Sequence, residues 1–214
     1  MKTFLLTFLG LTLLGLASYF NFEPGIISAA SSTGTTTVTL IVTSEISVTP
    51  DATIAMSPNI ATTQDTSIGS GNFVVKTNDA AGYTMSFRAS STPALHDAAN
   101  SFADYTDSGS PEAWSVGAGA YEFGFSAYGT DVSDGTWDAG QVSCGSAGAD
   151  SLTSSVKWRG FTGTTPITGV ASRSTVTDRV GVTTTLCVAA EQGNSVYAPT
   201  GTYYATIVGT ATTQ

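Results

Sequence analysis

The chain has 214 residues, a formal net charge of −9 and only seven Lys and Arg in all. That balance excludes a nucleic-acid binder, because phosphate recognition rests on clustered basic side chains, and it opposes adsorption to an anionic bilayer. A Thr-, Val- and Gly-rich composition of this length fits one β-rich domain, large enough to fold around its own core without a metal.

Lys2, the apolar run from Phe4 to Leu16 and the small residues Ser28, Ala29 and Ala30 predict a secretory signal over residues 1–30. A cut after Ala17 and an uncleaved anchor between Thr3 and Phe22 are the rival readings. The expected address is extracellular or the cell surface, with no stable membrane insertion after signal removal. Residues 31–36 read as a flexible polar leader, and residues 37–214 as a single domain. In residues 37–49, Val38, Leu40, Val42, Ile46 and Val48 alternate with Thr, Ser and Glu, the period of a half-buried strand. Ile54 and Met56 mark a short successor.

Residues 71–77 and 83–89 read as a hairpin closed by the five-residue loop 78–82 with Gly82 at its end. Phe73, Val75, Tyr83, Met85, Phe87 and Ala89 are its expected core face, with Lys76 and Arg88 toward solvent. Between Pro93 and Tyr105, the spacing of Leu95, Ala98, Ala99 and Phe102 predicts one short helix in a crossover loop. Further strands are expected around Trp114 and Val116, at 121–127, at 155–159 with Val156 and Trp158 inward, and at 166–171. A strand at 180–188 puts Val180, Val182, Leu186 and Val188 on one face and Cys187 on the other. The last strand is expected from Thr202. About ten strands with turns between them and no βαβ rhythm predict an all-β fold, an antiparallel β-sandwich of immunoglobulin-like or jelly-roll-like type.

The two cysteines, Cys144 and Cys187, are expected to form one disulfide in an oxidising compartment. Closing a loop of about 44 residues stabilises a fold by roughly 4 kcal/mol in the chain-entropy model. Two buried free thiols are the alternative.

Charge is unevenly placed. Residues 90–155 hold nine of the sixteen acids and no Lys or Arg, which leaves seven acids against seven bases elsewhere. Asp131, Asp134 and Asp138 surround a Gly turn and are candidate calcium ligands, calcium being the one cofactor considered. Their spacing departs from the EF-hand loop, and a solvated acidic loop accounts for them equally simply. Trp114, Trp137 and Tyr128 are candidates for stacking on sugar rings. Catalytic signals are sparse. His96, the sole histidine, stands beside Asp97 without a Gly-x-Ser-x-Gly elbow. Glu112 and Glu122 are the only carboxylates that suggest a glycosidase pair, and their position beside aromatic strands also suits solvent-facing residues. No residue is assigned a catalytic role.

The segments Ile41-Val42-Thr43-Ser44-Glu45-Ile46, Val75 through Met85, Glu122-Phe123-Gly124-Phe125 and Pro199-Thr200-Gly201-Thr202-Tyr203 resemble a group of secreted bacterial β-sandwich surface proteins. The terminal Pro-x-Gly-x-Tyr strand is also similar to the closing strand of fimbrial subunits. The cysteines depart from chaperone-usher pilins, which usually bridge early in the domain. The resemblance implies an exported surface or fimbria-like protein acting in assembly or adhesion without catalysis. Its expected partners are copies of itself, joined by strand addition, or cell-surface glycans. A calcium- or carbohydrate-binding module built on residues 90–155 is the alternative, and a secreted hydrolase the second.

Overall fold

The computed structural model describes residues 31–137, 143–144 and 156–214. The expected signal at 1–30 therefore lies outside the described residues. The chain divides into a unit of residues 1–41 and one of 42–214. Residues 31–41 of the first are exposed and without regular structure.

Among its described residues the second unit carries ten strands and one short helix. A first sheet takes β1 (Ile46–Pro50), β2 (Thr66–Thr77), β9 (Val182–Gln192), β6 (Tyr121–Gly129), β7 (Lys157–Gly160) and β5 (Glu112–Ala113) in that order, with β4 (Ala103–Asp104) beside β6. A second sheet has the order β10 (Ile207–Thr213), β3 (Tyr83–Ala89) and β8 (Ile167–Arg173). Every pairing is antiparallel except that of β4 with β6. This is an all-β sandwich. Its core lies between the sheets, where Phe73 and Phe87 meet edge to face at 4.9 Å and Phe125 packs on Phe161 at 4.7 Å. Buried aromatics of this kind dominate a core's apolar contribution.

Several expectations are corrected. The segments 71–77 and 83–89 do not form a hairpin, because β2 pairs with β1 and β9 while β3 pairs with β10 and β8. Loop 78–82 is an arch that carries the chain from one sheet to the other. Asp79 shapes it, its carbonyl accepting from Gly82 N–H and its carboxylate from Ala81 N–H at 2.9 Å. Gly82 has φ +81°, and a Cβ there would collide with the Arg173 carbonyl. The expected core face is nonetheless right, since all six of its apolar residues are buried.

The helix expected between Pro93 and Tyr105 is absent. The Asp97 carboxylate accepts from the backbone N–H groups of Ala99 and Asn100 at 2.7 and 2.6 Å, an arrangement that competes with helical bonding. The helix present is α1 (Asp134–Trp137), in a different loop. The first strand is shorter than expected because its partner runs out. Thr77 opposite Ile46 ends the ladder, and the Asn78 side chain caps it by binding Glu45 N–H and the Thr43 carbonyl. Ile54 and Met56 lie outside any strand, β10 begins at Ile207 rather than at 202, and Val180 is exposed rather than facing the core.

At β9 the first sheet is buried on both faces. Leu186, Val188 and Ala190 of β9 face the second sheet. Cys187 and Ala189 face the other way, into a second cluster with Tyr105, Cys144, Val156 and Trp158. Val156 and Trp158 are thus buried as expected, but on the outer side of the sheet. Among the described residues, no helix is long and apolar enough to cross a membrane.

Candidate functional site

Two places gather polar chemistry or open space: the outer face of the first sheet, covered by the acid-rich segment, and a cleft at one end of the sandwich.

On the outer face, Gly124 leaves room for Tyr105 and Trp114, which stack at 4.5 Å with their planes 13° apart. Trp114 meets Trp158 edge to face at 5.3 Å and donates its indole N–H to Glu191 at 2.7 Å. The Cys144–Cys187 disulfide, with Cα atoms 5.4 Å apart, ties this covering layer to the central strand β9.

Most of the acids here hold backbone. Asp104 accepts from Ala94 N–H at 2.9 Å, Asp107 from Gly160 N–H at 2.8 Å, Glu112 from Ser108 N–H at 3.2 Å and Glu122 from Thr106 N–H at 3.5 Å. Asp131 takes the Tyr83 hydroxyl at 2.8 Å and pairs with Arg173 at 3.1 Å. With Asp97, five of the nine acids in the segment hold backbone N–H groups, and Asp131 holds side chains. A charged acceptor makes such bonds stronger than neutral ones. Burial raises the pKa values of Asp104 and Glu122, and it raises that of the Tyr83 hydroxyl together with the neighbouring Asp131 carboxylate.

The candidate calcium ligands are not gathered into one site. Asp131 is committed to Tyr83 and Arg173, Asp134 stands in the first turn of α1, and Asp138 lies outside the described residues. Among the described residues, no group of three or more His, Cys, Asp or Glu is placed to hold a metal ion. The sugar-stacking set is divided too. Trp137 is buried in the main core against Phe125 at 5.3 Å, a correction to its expected exposure, while Trp114 and Tyr128 belong to the outer cluster. His96 Nδ1 lies 3.3 Å from Ser91 Oγ, but the Asp97 carboxylate is turned to Ala99 and Asn100, which hold its pKa below the usual range. No Ser-His-Asp chain results. Glu122 stands across from Glu191 in the β6–β9 ladder rather than across a cleft from Glu112.

The cleft was not foreseen from sequence. It has a volume of about 1060 Å³ and opens where the second sheet stops short of the first. Phe73, Phe102, Phe123, Val188 and Ala190 form its floor. One wall is residues 51–62, fastened by the Asp51–Asn72 pairing and the Ser57–Ile68 bridge, with Ile54, Met56 and Ile60 half-buried along it. The other wall is residues 197–206, of which 202–206 were expected to be strand. Tyr204 and His96 exchange backbone bonds at 2.9 and 3.1 Å, and Tyr203 rests edge to face on Phe102 at 5.1 Å. Tyr197 and Tyr204 stand 64% and 69% exposed on the rim. Among the described residues, Asp51 is the only charged one lining the space.

From this wall the chain runs directly into β10, which among the described strands hydrogen-bonds only β3 and has β1 of the first sheet close beside it. A strand edge without a hydrogen-bonded neighbour is a row of backbone donors and acceptors able to take another strand. Ile54 and Met56, read from the sequence as a short strand, and Ile60 are the apolar positions that line this wall. Nothing in the sequence showed that they face an opening.

No protein-family model matches the chain, and no curated protein or solved structure matches it.

Proposed function

We propose that this is an exported, non-catalytic β-sandwich that serves at the bacterial cell surface as a structural or adhesive subunit, its cleft and the edge of β10 taking an extended strand from a partner. The observation that carries this reading is an open cleft, lined by apolar and uncharged polar residues with Asp51 as its one charge, at the start of β10, whose hydrogen-bonded neighbour among the described strands is β3. An extended segment laid there gains main-chain hydrogen bonds from the edge and places alternate side chains in the cleft. Supporting it, the titratable groups of the outer face are engaged in holding loops, and a disulfide ties down its covering layer. The exported compartment rests on the residue 1–30 signal pattern.

The test is to label the protein on intact producing cells and to compare it with Ala205→Lys, which places a charge on the cleft wall. The expected result is surface-bound wild type and a variant that folds normally but is shed into the medium. Wild type recovered only as free protein, or a variant attached as firmly as wild type, would count against the reading.

A further inference from the structure

We propose that residues 52–56 are a lid on the cleft, that Ile54 is its latch, and that the cleft fills once this lid swings out. The device governs access, whatever the chemistry of the partner that enters.

The lid begins as an interruption of a strand. The pairing of β1 with β2 runs to Pro50 opposite Phe73. It continues through Asp51, which gives its N–H to the Asn72 carbonyl and takes the Asn72 N–H on its carboxylate, both at 2.8 Å. Pairing resumes at Ser57, which exchanges backbone bonds with Ile68 at 2.8 and 3.2 Å. Between these two pins, residues 52–56 stand opposite residues 69–71, so the extra length leaves the ladder as a bulge. Among the described residues, none of 52–56 makes a backbone hydrogen bond.

One side chain holds the bulge down. Ile54 lies across Gly69 and Gly71 of β2. A Cβ at Gly71 would stand 2.5 Å from Ile54 Cγ1, and one at Gly69 would stand 2.8 Å from Ile54 Cγ2. Neither glycine has a positive φ, so the seat for Ile54, rather than the backbone conformation, is what requires them. Thr53 and Ala55 on either side are exposed. A stretch with a single apolar anchor and no backbone hydrogen bonds opens at a small fraction of the free energy of global unfolding.

The facing wall is built differently. Ala198 N–H donates to the Gln192 side chain at 3.0 Å, Tyr204 and His96 bond in both directions, and Thr206 accepts from Ser90 N–H at 2.9 Å. Tyr203 Oη adds a bond to the Pro199 carbonyl at 2.7 Å. Bonds spaced along that wall fix it, so opening falls to residues 52–56. Asp51 and Ser57 are the hinges, and Gln192 Nε2, 2.9 Å from the Ala61 carbonyl, holds the chain beyond the second hinge. When Ile54 leaves, the recess over Gly69 and Gly71 joins the cleft. An incoming aliphatic group that fills it replaces the contact the latch gave up.

The experiment is hydrogen exchange on the purified full chain, backed by thiol labelling. Successive N–H groups of a strand point to opposite neighbours. Ile68 and Asn72 therefore report the lid, while Gly69, Gly71 and Phe73 report the ladder with β9. In wild type the lid amides should exchange at least about tenfold faster than the ladder amides. Ile54→Ala should speed the lid amides by a further factor of about ten and leave the ladder unchanged. Gly71→Ala should act as Ile54→Ala does, and the two together should do no more than either alone, because they remove the same contact. Gly69→Ala replaces Gly71→Ala should that protein fail to fold. For access, Ser67, 6% exposed on the cleft lining, is changed to give Ser67→Cys. N-ethylmaleimide should label its thiol roughly tenfold faster once Ile54→Ala is added. Lid and ladder amides quickening together, additive effects of the two substitutions, or labelling that Ile54→Ala leaves unchanged overturns the proposal. Cell attachment of Ala205→Lys tests the strand-acceptor reading separately, and none of these measurements depends on it.

Discussion

Glu122 stands directly across from Glu191 on the outer face of the first sheet, half covered by the layer that carries Trp114. Its pKa is raised, chiefly by burial, so the fold disfavours its ionised form. Proton linkage then fixes the sign. The native state binds the proton more tightly than the unfolded chain, so stability is greatest in acid and falls as pH rises from the usual glutamate range through the raised value. Glu122→Gln should remove that fall. Urea midpoints are expected to coincide near pH 4 and to favour the variant near pH 7, by less than about 1 kcal/mol because solvent screens a partly exposed group. Equal midpoints at both values would mean that burial costs this carboxylate nothing. None of this was visible in the sequence, where Glu122 is one acid among nine and Glu191 lies far along the chain. Asp131 gives the same lesson. Next to Asp134 and Asp138 in sequence it reads as a metal ligand, but its actual partners, Tyr83 and Arg173, are 48 and 42 residues away. Local spacing reports which oxygens are close along the chain, and folding decides what they face.

At the level of elements, alternation marked the buried side chains where a paired strand formed, but not at Val38, Leu40, Val42 and Val180, which are exposed, and it was a poor guide to what each strand pairs with. A hairpin and an arch between two sheets bury the same alternate residues, so Phe73, Val75, Met85 and Phe87 were correctly placed in the core while the pairing of β2 with β3 was not. The helix expected after Pro93 failed for a different reason. Its apolar spacing was real, and Leu95 and Phe102 are buried, but the Asp97 side chain takes the backbone donors that a helix would use. The disulfide was legible because a chain with two cysteines allows a single pairing. Its role was not legible, since it joins the central strand to the covering layer rather than sheet to sheet. It closes a loop across a sequence separation of 43, for which the chain-entropy model gives about 4 kcal/mol. Cys144→Ser with Cys187→Ser should lower the melting temperature accordingly. Hydrogen exchange should rise at the backbone around Trp114 and Trp158 well before it rises in β3. Uniform loosening of both sheets, or an unchanged melting temperature, would show that the covering layer is held without the staple.

At the scale of the whole molecule, the excess charge and the uncharged surfaces belong to a single argument. Every copy carries the same net charge of −9, so long-range electrostatics keep copies apart at low ionic strength, where the Debye length is about 30 Å at 0.01 M salt. Salt shortens that length to about 3 Å at 1 M and removes most of the repulsion. It leaves a contact made at the cleft, which Asp51 alone charges, with little ion pairing to lose. Assembly should therefore strengthen with sodium chloride. Because two surfaces of like charge approach from a distance, the effect should fall mainly on the association rate, with dissociation little changed. Stopped-flow light scattering between 0.01 M and 1 M salt separates the two rates. An interface built on the acidic segment and a basic patch of the neighbouring copy would respond in the opposite sense, since screening removes the attraction that holds it. A rise in association rate with salt favours the uncharged cleft as the meeting surface. A fall would move the contact to the outer face, where Glu112, Glu122 and Asp107 stand.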